Sequence, residues 1–295
     1  MLYVIEAGFL TTIQDRGRYG WARYGVPASG PMDSAAFDAA NRLVANQPDA
    51  AGLEITLTGP TLQAAADCLI AVCGAEFELR VGSLDVPTWH AVFVRAGDRI
   101  VFGERRSGMR AYLAAAGGIE VPTFLGSRAT YLPGQFGGME GRRLETGDRL
   151  QLGTPQVRSL FEQAGQAWPH KLRPPYRPDS CVRVILGPQD DYFASEALAL
   201  FLQAEFHVTP NSDRMGLRLN GPALRHRNRT GIVSDGVTSG SIQVPPDGHP
   251  IVMMVDHQTT GGYPKIATVI SEDLPLLAQM LPGDSVRFSA AELAP

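Results

Sequence analysis

Short apolar and β-branched runs, separated by glycines and prolines, set the rhythm of this chain. LEITLTG (53–59), CLIAVCG (68–74), FELRVG (77–82), HAVFVRAG (90–97), CVRVILG (181–187) and PIVMMVD (250–256) all have strand length and turn residues at their borders. That pattern predicts many strands joined by tight turns. Only three stretches carry a helical period. Residues 31–46 put Ala36, Phe37, Ala40, Leu43 and Val44 on one face and stop before Pro48. Residues 191–206 offer Asp191 as a cap and a stripe of Phe193, Ala197, Leu200 and Phe201. Residues 272–284 offer Asp273 or a neighbour as a cap, Pro275 in the first turn and Pro282-Gly283 as a stop.

The pattern recurs along the chain. YVIEAG (3–8) matches RVILGP (183–188), and GPTL (59–62) matches GPAL (221–224). Each GP-L follows a segment with a methionine and a charged residue, GPMD (30–33) and SDRMGLRL (212–219). AGDRIVF (96–102) matches PGDSVRF (282–288), with TGDRLQL (146–152) as a third copy. The same order in both halves predicts two related β-rich domains, at 1–153 and 181–295. Between them, residues 154–180 include WPHKLRPPYRPDS, whose prolines favour extended chain and a linker. Barrels are the natural form for such β units, because closure removes exposed edges.

With 295 residues, the chain exceeds the ~250–300 at which one core tends to split in two. A hydrophobic content of 44% and a charged content of 19% are those of a folded domain. The formal charge of −4 gives no electrostatic reason to expect nucleic acid or a membrane surface as partner. No apolar run approaches the ~20 residues of a membrane span. MLYVIEAG begins as a strand without the features of a signal peptide, so the expected location is cytoplasmic. Cys68, Cys73 and Cys181 form no C-x-x-C pair, and the six histidines show no i, i+4 spacing. Neither a disulfide framework nor a metal site is expected. H-E-x-x-H, the phosphate-loop motif and G-x-S-x-G are all absent.

What remains is polar chemistry where strands turn. TTIQDRGRYGWARYGVPASGPMD (11–33) carries Gln14, Asp15, Arg16 and Arg18. The second region runs from VSDGVTSGSIQVPPDGHP (233–250) into DHQTTGGYPK (256–265). Of 26 basic residues only Lys171 and Lys265 are lysines, and an ammonium is a compact charge chosen for different chemistry from a guanidinium. Lys265 is therefore a candidate catalytic cation, with Asp235 or Asp256 as proton acceptor. Gln243 and Gln258 present the donor–acceptor edge that suits an amide or urea. Thr260 and Tyr263 flank Gly261 and Gly262, whose backbone could approach a ligand or form an anion nest. The same Gly-Gly-Tyr-Pro run also suits a plain turn.

TTIQDRGRYG, GVPASGPMD, ANRLVAN, LEITLTGPTL, SDRMGLRLNGPAL, SDGVTSGSIQVPPDGHPIVMMVDHQTTGGYPKIATV and LPGDSVRF together resemble the biotin-dependent carboxyltransferase-type family. It is also called allophanate hydrolase subunit 2 and includes KipA and the C subunits of 5-oxoprolinases. The resemblance runs from about residue 3 to residue 289. It implies a mainly β fold of two cyclophilin-like β-barrel domains with a few short helices. It also implies a component of an ATP-dependent 5-oxoprolinase complex that opens 5-oxoproline to glutamate. The implied partners are the other two chains of that complex, one KipI-like and one of LamB/YcsF type, with a small cyclic amide as substrate. ATP is expected at an interface between chains, with Arg16 and Arg18 as candidate phosphate contacts. No covalently attached biotin is expected in this chain. Two other activities stay open: a KipA-like regulator that binds a KipI-like kinase inhibitor, and a biotin-dependent carboxyltransferase acting on urea-like amides. In the first region Gln14 and Asp15 are candidate substrate contacts. In the second, Gln243, Gln258, Thr260, Gly261, Gly262 and Tyr263 fill that role around Asp235, Asp256 and Lys265.

Overall fold

The computed structural model describes residues 1–156, 159–227 and 230–291. It is mainly β, as expected, with two barrel-like sheets and short helices. One compact unit comprises Met1–Arg18 and Ser29–Pro175, the other Tyr19–Ala28 and Tyr176–Pro295. The first holds β1 (Leu2–Glu6), β2 (Leu10–Gln14), β3 (Gly52–Thr56), β4 (Thr61–Ala64) and β5 (Cys68–Val81). It continues with β6 (Leu84–Val86), β7 (Ala91–Val94), β8 (Arg99–Ala115), β9 (Ile119–Glu120) and β10 (Arg149–Leu152). Helices α1 (Ser34–Leu43) and α2 (Leu160–Gln163) belong to the same unit. The second holds β11 (Asp179–Leu186), β12 (Phe206–Val208), β13 (Gly216–Asn220), β14 (Asp235–Gly236) and β15 (Ser241–Gln243). It ends with β16 (Ile251–Met253), β17 (Thr260–Gly261), β18 (Lys265–Val269) and β19 (Ser285–Ala290), and carries α3 (Ser195–Gln203) and α4 (Leu274–Ala278).

In the first unit the long strands β5 and β8 pair antiparallel, and both bend through register shifts near Gly74. Leu2, Ile13, Leu53, Ile55, Leu62, Ile70 and Leu113 fill the interior. On the opposite face of the sheet, α1 packs against β5 and β8. Glu54 and Tyr112 are cross-strand partners on that face, and Phe37 of α1 meets the Tyr112 ring edge-on at 6.0 Å. The Tyr112 hydroxyl donates to Glu54 Oε2 at 2.8 Å and accepts from Asp33 N at 2.8 Å, while Met32 N also donates to Glu54. These partners let a carboxylate lie fully buried, since an unpaired one would be costly there. Asp33 also caps α1 through the Ala36 N–H at 2.9 Å, so the helix expected over 31–46 forms at 34–43. Within 154–180, Trp168 N donates to Trp89 O at 2.9 Å and Ala91 N to Gln166 O at 2.8 Å.

The second unit is a closed barrel in the order β11-β18-β15-β16-β13-β12-β19. Val182, Val184, Leu217, Leu219, Ile242 and Val252 point inward, as alternation requires. Phe201 of α3 stacks on Phe288 at 4.6 Å and fixes the helix to β19. Two expected caps do not form. The helix expected from Asp191 starts at Ser195, because Asp190–Tyr192 makes a separate 3₁₀ turn and no side chain caps α3. Helix α4 spans only five residues, and Asp273 turns its carboxylate to Arg183 instead of the helix N–H groups. An ionic partner with two well-placed donors outcompetes a lone backbone amide.

Candidate functional site

Register on the barrel wall gathers the polar residues. Arg218 on β13 lies opposite Ile251 on β16, and Ile251 lies opposite Gln243 on β15. Their neighbours Leu217, Val252 and Ile242 fill the interior, so this row faces outward. A register shift between β15 and β18 then skips Ile266 and sets Lys265 opposite Gln243. Bulges commonly re-aim a side chain in this way. Over the outward row lies an open cleft of about 540 Å³. Gln243, Gln258 and Tyr263 line it, together with Arg218, Asn220 and His249.

The two glutamines form one unit. Gln258 Nε2 donates to Gln243 Oε1 at 3.1 Å, and Gln243 Nε2 donates to the Tyr263 carbonyl at 3.4 Å. Among the described residues Gln258 keeps its Oε1 and one N–H without a partner. His257 steadies the backbone: its Nδ1–H donates to the Gln258 carbonyl at 2.6 Å. Burial lowers the His257 pKa, which favours the neutral ring.

Lys265 is buried beside this pair. Its ammonium donates to Asp235 Oδ2 at 2.6 Å and to Gly236 O at 2.7 Å, which leaves one of three donors. Gln189 brackets the pair, accepting from Lys265 N at 3.1 Å and donating to Asp235 at 3.3 Å. The hydrogen bond from Lys265 holds the Asp235 carboxyl below its ordinary pKa, which makes it a weaker proton acceptor. Asp235 and Gly236 pair in turn with Gly261 and Thr260 in the β14–β17 ladder. Neither Gly261 nor Gly262 has a positive φ, so these glycines supply space and not left-handed backbone. A Cβ on Gly261 would sit 2.3 Å from Gln243 Nε2, whereas one on Gly262 would meet nothing closer than 3.8 Å.

Asp256 is turned away from this group. It is buried and held by Arg214, with Nε to Oδ2 at 2.8 Å and Nη2 to Oδ1 at 3.2 Å. The other candidates lie in the first unit. Gln14 is buried and donates to Thr12 Oγ1 and Thr130 O, and Asp15 accepts from Gly17 N, Ser127 Oγ and Arg128 N. Arg16 pairs with Asp38 at 2.8 Å. Arg18 is buried, donates to Ala129 O and lies over the Phe136 ring at 4.9 Å. Arg16 is thus tied to a carboxylate and Arg18 is buried, so the two guanidinium groups are not presented together as an open phosphate cradle. Among the described residues no group of three His, Cys, Asp or Glu side chains could hold a metal ion. No helix among them is long and apolar enough to cross a membrane.

Sequence reasoning missed Arg218, Asn220 and His249 on the cleft wall, and Gln189 behind Lys265. His249 lies inside the 233–250 run, directly after Gly248, whereas Arg218, Asn220 and Gln189 lie outside both polar regions. Only the strand register, which the sequence does not print, puts them with Gln243.

Comparison with known proteins agrees with this architecture. The family model for the carboxyltransferase domain, subdomain A and B, matches residues 24–290. The 5-oxoprolinase C subunit of Escherichia coli is 38% identical, covering 99% of this chain and 92% of its own length. The 5-oxoprolinase C subunit of Haemophilus influenzae is 36% identical with the same coverage. The crystal structure of the Kluyveromyces lactis urea carboxylase superimposes with a TM-score of 0.92 at 33% identity. That match covers 99% of this chain but only 27% of the urea carboxylase chain. Over nearly its whole length, then, this chain belongs to the family of the carboxyltransferase domain, subdomain A and B.

Proposed function

We propose that this chain is the amide-binding subunit of an ATP-dependent 5-oxoprolinase, which opens the lactam of 5-oxo-L-proline to L-glutamate. The observation that carries the reading is the paired carboxamide of Gln243 and Gln258 on the wall of an open cleft. A lactam is locked cis, so its N–H and C=O lie on one edge. A carboxamide with one acceptor and one donor still unpartnered is the complement of that edge. Full-length similarity to two 5-oxoprolinase C subunits supports the same choice.

Amide resonance makes both the nitrogen and the oxygen of a lactam poor reactants. Hydrogen bonds that grip N–H and C=O together hold the ring in one pose for attack at the carbonyl carbon. In this proposal Gln258 and Gln243 fix that pose. Lys265 and Asp235 act behind them as positioning residues: the ion pair ties β14 to β18 and keeps Gln243 facing the cleft. ATP, when bound in the assembled complex, supplies the driving force for an otherwise reluctant ring opening. We place its binding with the partner subunits, a KipI-like chain and a LamB/YcsF-type chain.

The test is glutamate release from 5-oxoproline and ATP by all three chains mixed, with each omitted in turn. Release that requires every chain, and falls at least about 100-fold with Gln258→Ala, supports the reading. No release from the full mixture would reject it. A second reading, biotin-dependent carboxyl transfer to a urea-like amide, draws on the 0.92 TM-score to urea carboxylase. It predicts ¹⁴C-bicarbonate incorporation into urea with a biotinylated carrier present.

A further inference from the structure

The cleft has a charged end that the amide-binding reading does not use. Arg218 stands on β13 two strands from Gln243, with Ile251 of β16 between them in the same outward row. Adjacent strands lie ~4.8 Å apart, so the two Cα positions are ~10 Å from each other. That leaves space for one small ring between a glutamine and the long side chain of an arginine. The Arg218 side chain is exposed to the cleft and has no hydrogen-bond or ion-pair partner among the described residues. Each neighbouring carboxylate on the cleft wall, Asp213 and Asp247, has one oxygen held by backbone N–H groups and no ion pair with Arg218. Asp213 Oδ1 accepts from Met215 N at 2.8 Å and Gly216 N at 3.2 Å, and Asp247 Oδ1 accepts from His249 N at 3.0 Å. His249 also lines the cleft, with its Nδ1 buried and without a hydrogen-bond partner among the described residues. An unpartnered cation therefore lies on one side of the cleft wall, and a carboxamide edge lies two strands away.

Resting on the 5-oxoprolinase reading, we propose that Arg218 binds the α-carboxylate of the substrate and selects an anionic cyclic amide over neutral amides. The guanidinium fork matches a carboxylate in two parallel hydrogen bonds. Ile251, between the two polar ends, offers an apolar surface to the ring methylenes. A neutral urea or an unsubstituted lactam would engage the glutamines and leave the guanidinium unmatched.

The experiment uses the three-chain complex with 5-oxoproline as substrate and 2-pyrrolidinone, which lacks the carboxylate, as a competitive inhibitor. Arg218→Ala should raise KM for 5-oxoproline about 100-fold, with kcat reduced much less, because a charge-assisted pair made equally in ground and transition states is lost. The inhibition constant of 2-pyrrolidinone should move less than about threefold, so the preference for the anion collapses. Arg218→Lys should recover part of the loss, since it restores charge without the fork. The KM for ATP separates the two sources of an anion at this position. A rise in KM for ATP, with that for 5-oxoproline unchanged, would assign Arg218 to phosphate and overturn the proposal. An unaltered KM for 5-oxoproline in an active Arg218→Ala complex overturns the anchor and leaves the lactam reading standing. A wild-type complex that releases no glutamate and binds no 5-oxoproline by calorimetry removes both.

Discussion

At the scale of single residues, the glycines of the Gly-Gly-Tyr-Pro run separate cleanly. Gly261→Ala would drive a methyl into the Gln243 carboxamide at 2.3 Å, while Gly262→Ala meets only ordinary contacts. The first substitution should raise the substrate KM at least about tenfold with a preserved circular dichroism spectrum, and the second should leave KM unchanged. Lys265→Met removes the ammonium that joins Asp235 and the Gly236 carbonyl. The expected outcome is a fall of about 100-fold in kcat/KM, read from glutamate release by the complex. His257 gives a pH signature. Burial depresses its folded pKa below the ordinary 6.5. Its contribution to stability is thus complete above pH 6.5 and is lost as pH falls through the lower folded value. Imidazole ¹⁵N spectra should show a neutral Nδ1–H ring at pH 7, and thermal melts should show stability declining on acidification below about 6.5, less so in His257→Gln. The polar motif run was legible in the sequence because glycine, glutamine and a rare lysine cluster within a few residues. The direction of each side chain was not. Asp256 stands in the same run yet turns to Arg214, forty-two residues away in sequence.

At the scale of elements, apolar period alone located α1 and α3, since each buries a stripe against a sheet. The caps were harder to read. Asp273 has the right residue type and position for α4, but Arg183 on β11 competes for its carboxylate, and that partner is 90 residues distant in sequence. The seal of α1 over the first unit rests on the Tyr112 hydroxyl, which serves Asp33 N and Glu54 together. Tyr112→Phe should cost about 1–3 kcal/mol in urea unfolding, because a buried amide and a carboxylate each lose a partner. Phe201→Ala should cost about 3–5 kcal/mol by the same measurement, since a stacked, fully buried ring is replaced by a void against Phe288.

At the scale of the molecule, two barrel-like units were foreseeable from ordered repeats, and the family from motifs spread over the whole chain. Which strands would pair, and so which side chains would share a wall, was set by non-local register that no short pattern carries. Two similar strand patterns hide an asymmetry. Gly52-Leu53-Glu54-Ile55 and Gly216-Leu217-Arg218-Leu219 read alike, each a glycine and two inward aliphatics around one outward charge. In the first unit that charge is buried and accepts from Met32 N just before α1, and in the second it opens on the cleft. Selection therefore acts on two similar strand patterns through different demands. In a saturation mutagenesis library sorted first for abundance and then for catalysis, variants at 54 should disappear in the first sort. Variants at 218 should pass it and disappear in the second, so one short pattern answers to folding in the first unit and to ligand in the second.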